Sequence, residues 1–315
     1  MSDDQQQQHP PGQGHGQYGT ARLIAYCRAK ATTDPNLGKI CDDPYASAFA
    51  QDGAKLCEAL ERSGAMPEFH VWVAGRTAFF DTCVREAVER QGIDQVVLLG
   101  AGYDTRSNRL GLNQKAKFFE VDLPQTQNDK LKIIKEKFSD SFSVERSVYV
   151  SCDFESQDFM DRLTQHGFDR SKRAIFVIEG VLYYLTEAAV NATLSKISAE
   201  NHPNTIVVFD MFSKTAVFGN AQQVKAAQGE LKSSREPMLW GSNHILPFLF
   251  KIGYRFVQHH DMDEVVLAGT GSHQYRRQFR FQYVVVAMKE RPADGAGGRP
   301  LPPFSPLWSL PCAKL

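Results

Sequence analysis

Four apolar, strand-like runs of this chain each end on residues that could hold a nucleoside cofactor. They are residues 96–102 (VVLLGAG), 118–122 (FFEVD), 148–153 (VYVSCD) and 174–180 (AIFVIEG). Gly100 and Gly102 suit a strand-to-helix turn, because glycine lets the backbone bend sharply and approach a ligand without a Cβ clash. The helix that follows would present unpaired N–H groups. A lone Gly-x-Gly also describes an ordinary tight turn. Glu120 and Asp122 close the second run about 20 residues later, where an acid can bond both ribose hydroxyls. Being two apart on a strand, their side chains share a face. Asp122 could equally cap the helix that Pro124 starts. Asp153 could accept from an adenine amino group or cap the next helix. Glu179 stands at the carboxyl end of a central strand, in the crevice where open α/β sheets bind ligands. An acid directly after so apolar a run needs a partner or water. Tyr183 and Tyr184 could line a substrate pocket or belong to the core. Arg76, taken alone, reads as a solvated helix arginine.

The elements that would position these residues alternate. Strand patterns cover 96–99, 118–121, 148–150, 175–178, 206–209, 256–260 and 281–288, and helical patterns cover 125–137, 158–166, 187–199 and 244–252. Such alternation predicts right-handed crossovers and a parallel sheet covered on both faces. No obvious helix separates the last two strands, so an antiparallel edge hairpin is expected. Before the sheet, apolar residues three and four apart (Val73, Ala74, Thr77, Phe80, Val84, Val88) predict a long amphipathic helix. The expected layout is a disordered tail over 1–17 and one domain over 18–290. That domain divides into a helical cap (18–92) and a core (93–290) with an insertion near 212–239. A flexible Pro- and Gly-rich tail follows over 291–315.

Composition narrows the function. The 315 residues carry 36 Lys+Arg against 36 Asp+Glu, a net charge of zero. That balance disfavours a general affinity for nucleic acid or anionic membranes. No run approaches the roughly 18 apolar residues of a membrane span. The N-terminus lacks the apolar core of a secretory signal. Six cysteines without a Cys-x-x-Cys, and histidines without ligand spacing, predict reduced thiols in a cytoplasmic setting and no metal. The ending Ala313-Lys314-Leu315 resembles a peroxisomal address, although a chance tail ending is the favoured reading.

Taken together, TARLIAYCRAK, DDPYASAF, AGRTAFFD, VVLLGAGYDTRSNRL, FFEVDLPQTQNDK, VSCDF and IEGVLYYLTEAA resemble the leucine carboxyl methyltransferase family, and more closely its bacterial-type branch. The likeness runs from about residue 20 to 288. It implies a class I, Rossmann-like methyltransferase: an α/β fold with a doubly wound, mostly parallel seven-stranded sheet, an N-terminal helical cap and an antiparallel edge strand. It implies S-adenosyl-L-methionine as cofactor. In its terms Arg76 grips the cofactor carboxylate, with Arg28 as a second basic contact. Gly100 and Gly102 line the methionine and ribose, Asp122 holds the ribose hydroxyls, with Glu120 beside it, and Asp153 and Phe154 flank the adenine. Glu179 meets the methionine amino group, and Tyr184 lies beside the substrate. Members directed at protein phosphatases read Asp-Leu-Arg after the third strand, whereas this chain reads Asp153-Phe154-Glu155. An acid in that arginine's place would repel a carboxylate substrate.

The implied reaction is displacement at a sulfonium methyl by an oxygen of a small-molecule or protein C-terminal carboxylate. A carboxylate is ionised at neutral pH, with a reference pKa near ~4, so no general base is assigned. An NAD-dependent oxidoreductase is disfavoured because Thr105 stands where the dinucleotide pattern needs a third glycine. A non-catalytic cofactor-binding module is the remaining alternative.

Overall fold

A single seven-stranded sheet orders the chain, with neighbours β3–β2–β1–β4–β5–β7–β6. The computed structural model describes residues 19–62, 64, 68–154, 156–220, 222–233, 236–275, 278–290 and 304–311. The strands are β1 (Gln95–Leu99), β2 (Lys117–Asp122), β3 (Ser147–Ser151), β4 (Ile175–Ile178), β5 (Ile206–Phe212), β6 (Phe256–Asp261) and β7 (Gln282–Met288). The first five pair in parallel. β7 runs antiparallel between β5 and β6, leaving β6 at the edge. β1, β4 and β5 are buried along their whole length, which is why they read as unbroken apolar runs. The order reverses between β1 and β4, and the crevice at that reversal is where such sheets take ligands.

Helices cover both faces. They are α1 (Gly19–Thr33), α2 (Ala46–Ala50), α3 (Gly53–Arg62), α4 (Phe69–Arg85), α5 (Arg106–Arg109), α6 (Pro124–Lys137), α7 (Phe159–Gln165), α8 (Glu187–Glu200), α9 (Lys214–Phe218), α10 (Gln222–Ser233), α11 (Ile245–Lys251) and α12 (Met262–Thr270). Their starts follow local chemistry. Pro124 opens α6, and the Asp158 and Thr186 side chains accept N–H groups at the starts of α7 and α8. Alternate sheet residues feed two cores. Val96, Leu98 and Val177 pack with α1, α3, α4 and α12, whereas Val97, Leu99 and Phe176 pack with α7, α8 and α11.

Three expectations change. The 18–92 block is only partly a cap, because α4 is buried almost all round, including Arg76, Thr77 and Asp81. A helix apolar on every side belongs inside. Gly75 permits this, since a Cβ there would lie 2.7 Å from Val266 Cγ2 of α12. The edge hairpin also contains a helix, α12, capped by the Asp261 side chain and ended by Gly271 in the left-handed conformation. Finally, the 291–315 segment is not uniformly a flexible tail. Residues 304–311 pack on α4, with Phe304 and Leu310 buried. The buried Glu86 carboxylate draws them in, accepting from Ser305 N at 3.0 Å and from the Ser309 hydroxyl. The expected disordered N-terminal tail over 1–17 and the Ala313-Lys314-Leu315 ending lie outside the described residues. Among the described residues no helix is long and apolar enough to cross a membrane.

Under α6, Lys130 Nζ meets Glu120 Oε2 at 2.5 Å, with both side chains 1% exposed. Removing one charge strands the other, at a cost of about 3–5 kcal/mol. Lys130→Met should therefore lower the urea-unfolding free energy by about that amount, and Glu120→Gln with Lys130→Met should recover most of it.

Candidate active site

The carboxyl ends of β1, β2 and β4 open into one cavity of about 250 Å³, roofed by α1, residues 183–185 and Glu236. Its floor is the turn after β1. Gly100 and Gly102 have φ of +70° and +48°, and a Cβ on Gly100 would lie 2.4 Å from Val181 Cγ2. The turn is held by Val121 O, which accepts from Gly100 N and Ala101 N at 2.8 and 3.1 Å. Asp122 then fastens it from β2, accepting from Gly102 N at 2.6 Å and from Leu123 N at 2.7 Å. Burial pushes the Asp122 carboxyl up, and those N–H bonds oppose it.

At the other end, Glu179 sits between two arginines. Arg76 Nε lies 3.0 Å from its Oε1, and Arg106 Nη2 lies 2.6 Å from its Oε2. Arg76 Nη1 also donates to Asp210 Oδ2 at 3.0 Å and to the Tyr183 hydroxyl at 3.2 Å. Its guanidinium lies over Trp72, 4.4 Å from the ring centroid. Burial acts to lower the Arg76 pKa, but Asp210 and Glu179 outweigh it and raise it further. Asp210 also accepts from Gly180 N at 2.7 Å, which fixes the turn after β4. Arg28 lines the same cavity from α1. Its Nε pairs with Asp43 at 2.9 Å, and its Nη2 donates to Tyr103 O at 2.7 Å.

Arg28, Arg76, Gly100, Gly102, Asp122, Phe154, Glu179 and Tyr184 thus converge on one cavity. Two expected residues stay out of its wall. Glu120 shares the face of Asp122 but lies deeper, where its carboxylate is taken by Lys130, Ser147 and Ser107. It is a structural charge under α6. Asp153 stands just outside the lining, bonded by the Ser156 hydroxyl at 2.9 Å, while its neighbour Phe154 enters. Glu155 lies outside the described residues.

Sequence reasoning missed several groups. Asp210 interrupts the apolar run IVVFDMF, and a fully buried acid of that kind signals a buried cation. Arg106 was visible in GAGYDTR but was given no role. Thr20 and Glu236 carried no signal at all. Glu236 Oε2 accepts from Thr20 N at 2.8 Å across 216 residues of sequence. Burial raises the Glu236 pKa, with the bonds from Thr20 opposing it. Burial also pushes the Tyr184 phenol up, and Glu236 adds to that. Among the described residues, neither Asp122 nor Glu236 has an ion-pair partner.

Asp104 makes this corner sensitive to acid. Burial acts to raise its pKa, but Arg106, then Arg109, hold it down at about 2, well below the usual carboxylate range. A depressed carboxyl stabilises the fold above its unfolded pKa and loses that contribution as pH falls through its folded one. Between pH 4 and 2, the wild type should lose about 2 kcal/mol more unfolding free energy than Asp104→Asn, measured by urea titration at each pH.

A family model for leucine carboxyl methyltransferases matches residues 21–198. A Streptomyces avermitilis protein named as an S-adenosyl-L-methionine-dependent methyltransferase is 32% identical over 209 residues, covering 64% of this chain and 70% of that one. A Mycobacterium avium protein of the same name is 31% identical over 210 residues, covering 64% and 68%. Among solved structures, a DUF574 family protein from Streptomyces avermitilis superposes with a TM-score of 0.62 at 14% identity, over 86% of this chain and 97% of its own. A methyltransferase structure from Thermobifida fusca gives 0.58 at 14% identity, over 86% and 94%. At that identity the two structures speak for the fold alone, which is that of the doubly wound sheet described above. The chain belongs to the leucine carboxyl methyltransferase family, a family of S-adenosyl-L-methionine-dependent methyltransferases.

Proposed function

We propose that this methyltransferase delivers the cofactor methyl group to an oxygen of its acceptor, a carboxylate. The observation that carries the reading is the single cavity joining the Asp122 end, the Arg76–Glu179 end and the Tyr184–Glu236 roof. Its residues fit the cofactor. Asp122, fastened by two backbone N–H groups and, among the described residues, without an ion-pair partner, keeps lone pairs for the ribose hydroxyls. The cramped glycine turn brings bare backbone to the ligand, and Phe154 offers an apolar face to the adenine. Glu179 suits the amino group of the amino-acid end, and Arg76 with Arg28 suits its carboxylate. When bound, the cofactor supplies an electrophilic methyl on a sulfonium.

The protein's part is alignment and exclusion of water. Holding two reactants in line supplies roughly 7–11 kcal/mol of the barrier. The start of α1 closes over the cavity through Thr20 and Glu236, which removes water from the reacting atoms. A carboxylate acceptor arrives ionised and needs no base. Beside it Glu236 must carry a proton, a state its burial favours, and it would then donate to the acceptor. The phosphatase C-terminal leucine is the less favoured carboxylate, given Glu155 in place of arginine.

Glu236 also supports a second reading, a hydroxyl acceptor whose proton the ionised carboxylate removes. Methyl-labelled S-adenosylmethionine with fractionated carboxylic acids separates the two. The carboxylate reading expects label released as methanol by alkali, the mark of an ester. It also expects Glu236→Gln to keep activity within about threefold, because an amide still donates. Alkali-stable label with a fall of about 100-fold or more in Glu236→Gln would favour the hydroxyl. Asp122→Asn should raise the Kd for S-adenosylhomocysteine at least about tenfold by calorimetry. An unchanged Kd would remove Asp122 from the site.

A further inference from the structure

Arg106 touches three elements and does not itself line the cavity. It is 2% exposed and opens α5, directly after the glycine turn. Its Nε meets Asp81 Oδ1 of α4 at 2.6 Å, its Nη1 pairs with Asp104, and its Nη2 meets Glu179 Oε2 at 2.6 Å. Its backbone N–H donates to Asp104 Oδ1 at 2.7 Å, which fixes the start of the side chain as well. Because Arg76 holds the other oxygen of Glu179, the carboxylate plane is set from two sides. Each oxygen keeps lone-pair capacity beyond the bond it makes.

Charge accounts for the arrangement. Arg76 is matched by Asp210, and Arg106 and Arg109 by Asp104 and Asp81. The cluster then carries one surplus negative charge, and Glu179, held between Arg76 and Arg106, lines the cavity together with Arg76 and Asp104. A carboxylate fixed at that wall, in a cluster with one net negative charge, suits an ammonium group.

We propose that Arg106 is a positioning residue for cofactor binding: it aims Glu179 at the amino group of the S-adenosylmethionine amino-acid end without itself touching the cofactor. The proposal rests on the reading that Glu179 takes that amino group. Two defined probes test it by calorimetry. S-adenosylhomocysteine carries the amino-acid end, and 5′-methylthioadenosine lacks it. Arg106→Gln and Glu179→Gln should each raise the Kd for S-adenosylhomocysteine about tenfold or more. Binding of 5′-methylthioadenosine should change less than about twofold, and this also reports that the variant cavity is folded. The double variant should be no weaker than the worse single one, since both changes remove one interaction. Arg106→Lys keeps the charge but cannot span all three carboxylates, so its Kd should fall between wild type and Arg106→Gln.

Equal weakening of both probes by Arg106→Gln, or additive losses in the double variant, overturns the proposal. If Glu179→Gln weakens S-adenosylhomocysteine and Arg106→Gln does not, the proposal alone fails. If Glu179→Gln has no effect, the reading of Glu179 fails and the proposal with it.

Discussion

A ladder of alternating charge runs beneath the cavity, and the other parts of the site depend on it. From α1 it passes through Arg28, Asp43, Arg109 and Asp81 to Arg106, then through Glu179 to Arg76 and Asp210. Only the Asp43–Arg109 step is long, at 3.9 Å. Taking such charges out of water is unfavourable, and breaking one pair leaves a stranded ion. The ladder is therefore a weak source of stability and a strong source of geometry. It joins Arg28, Glu179 and Arg76, the three charged groups assigned to the amino-acid end, through residues that do not line the cavity. It also explains why α4 lies in the core. The helix has to deliver Arg76 and Asp81 to opposite sides of Glu179, and only a buried position against the sheet reaches both.

The floor of the site was legible because it is local. Gly100, Gly102, Asp122 and Glu179 each follow an apolar run directly, and the parallel sheet brings those strand ends together without further instruction. Where reading failed, the cause was distance along the chain or depth within it. Glu120 carries the same face signal as Asp122, and nothing in the local pattern says that Lys130, nearly two turns into α6, will claim it. α4 looks amphipathic when only its apolar residues are counted. Its buried polar positions, Arg76, Thr77 and Asp81, would mark a wet face in an isolated helix, yet here Arg76 and Asp81 face partners supplied by the end of β4, β5 and α5. The helix inside the edge hairpin was hidden for a related reason: α12 is short, and its apolar residues find their partner, Gly75, in a helix far upstream.

The roof follows a different logic. Its parts lie outside the strand–helix repeat: the start of α1, the turn at residues 182–184 and the stretch after α10. Thr20 N, an N–H that the first turn of a helix leaves without an internal partner, is taken by Glu236. The Tyr183 carbonyl accepts from both Leu239 N at 2.7 Å and Trp240 N at 3.2 Å. The roof is thus joined by these hydrogen bonds and by the packing of Ile24, Tyr183 and Tyr184, whereas the floor is built on a sheet. The two surfaces are also free to differ in specificity. Strand ends can recognise one nucleoside across many proteins of the fold, while Thr20, Tyr184 and Glu236 come from segments whose length and composition the sheet does not constrain. A motif reading therefore reaches the cofactor and stops short of the acceptor. The roof groups Thr20, Tyr184 and Glu236 meet only after the segment that carries Glu236 has folded back over α1.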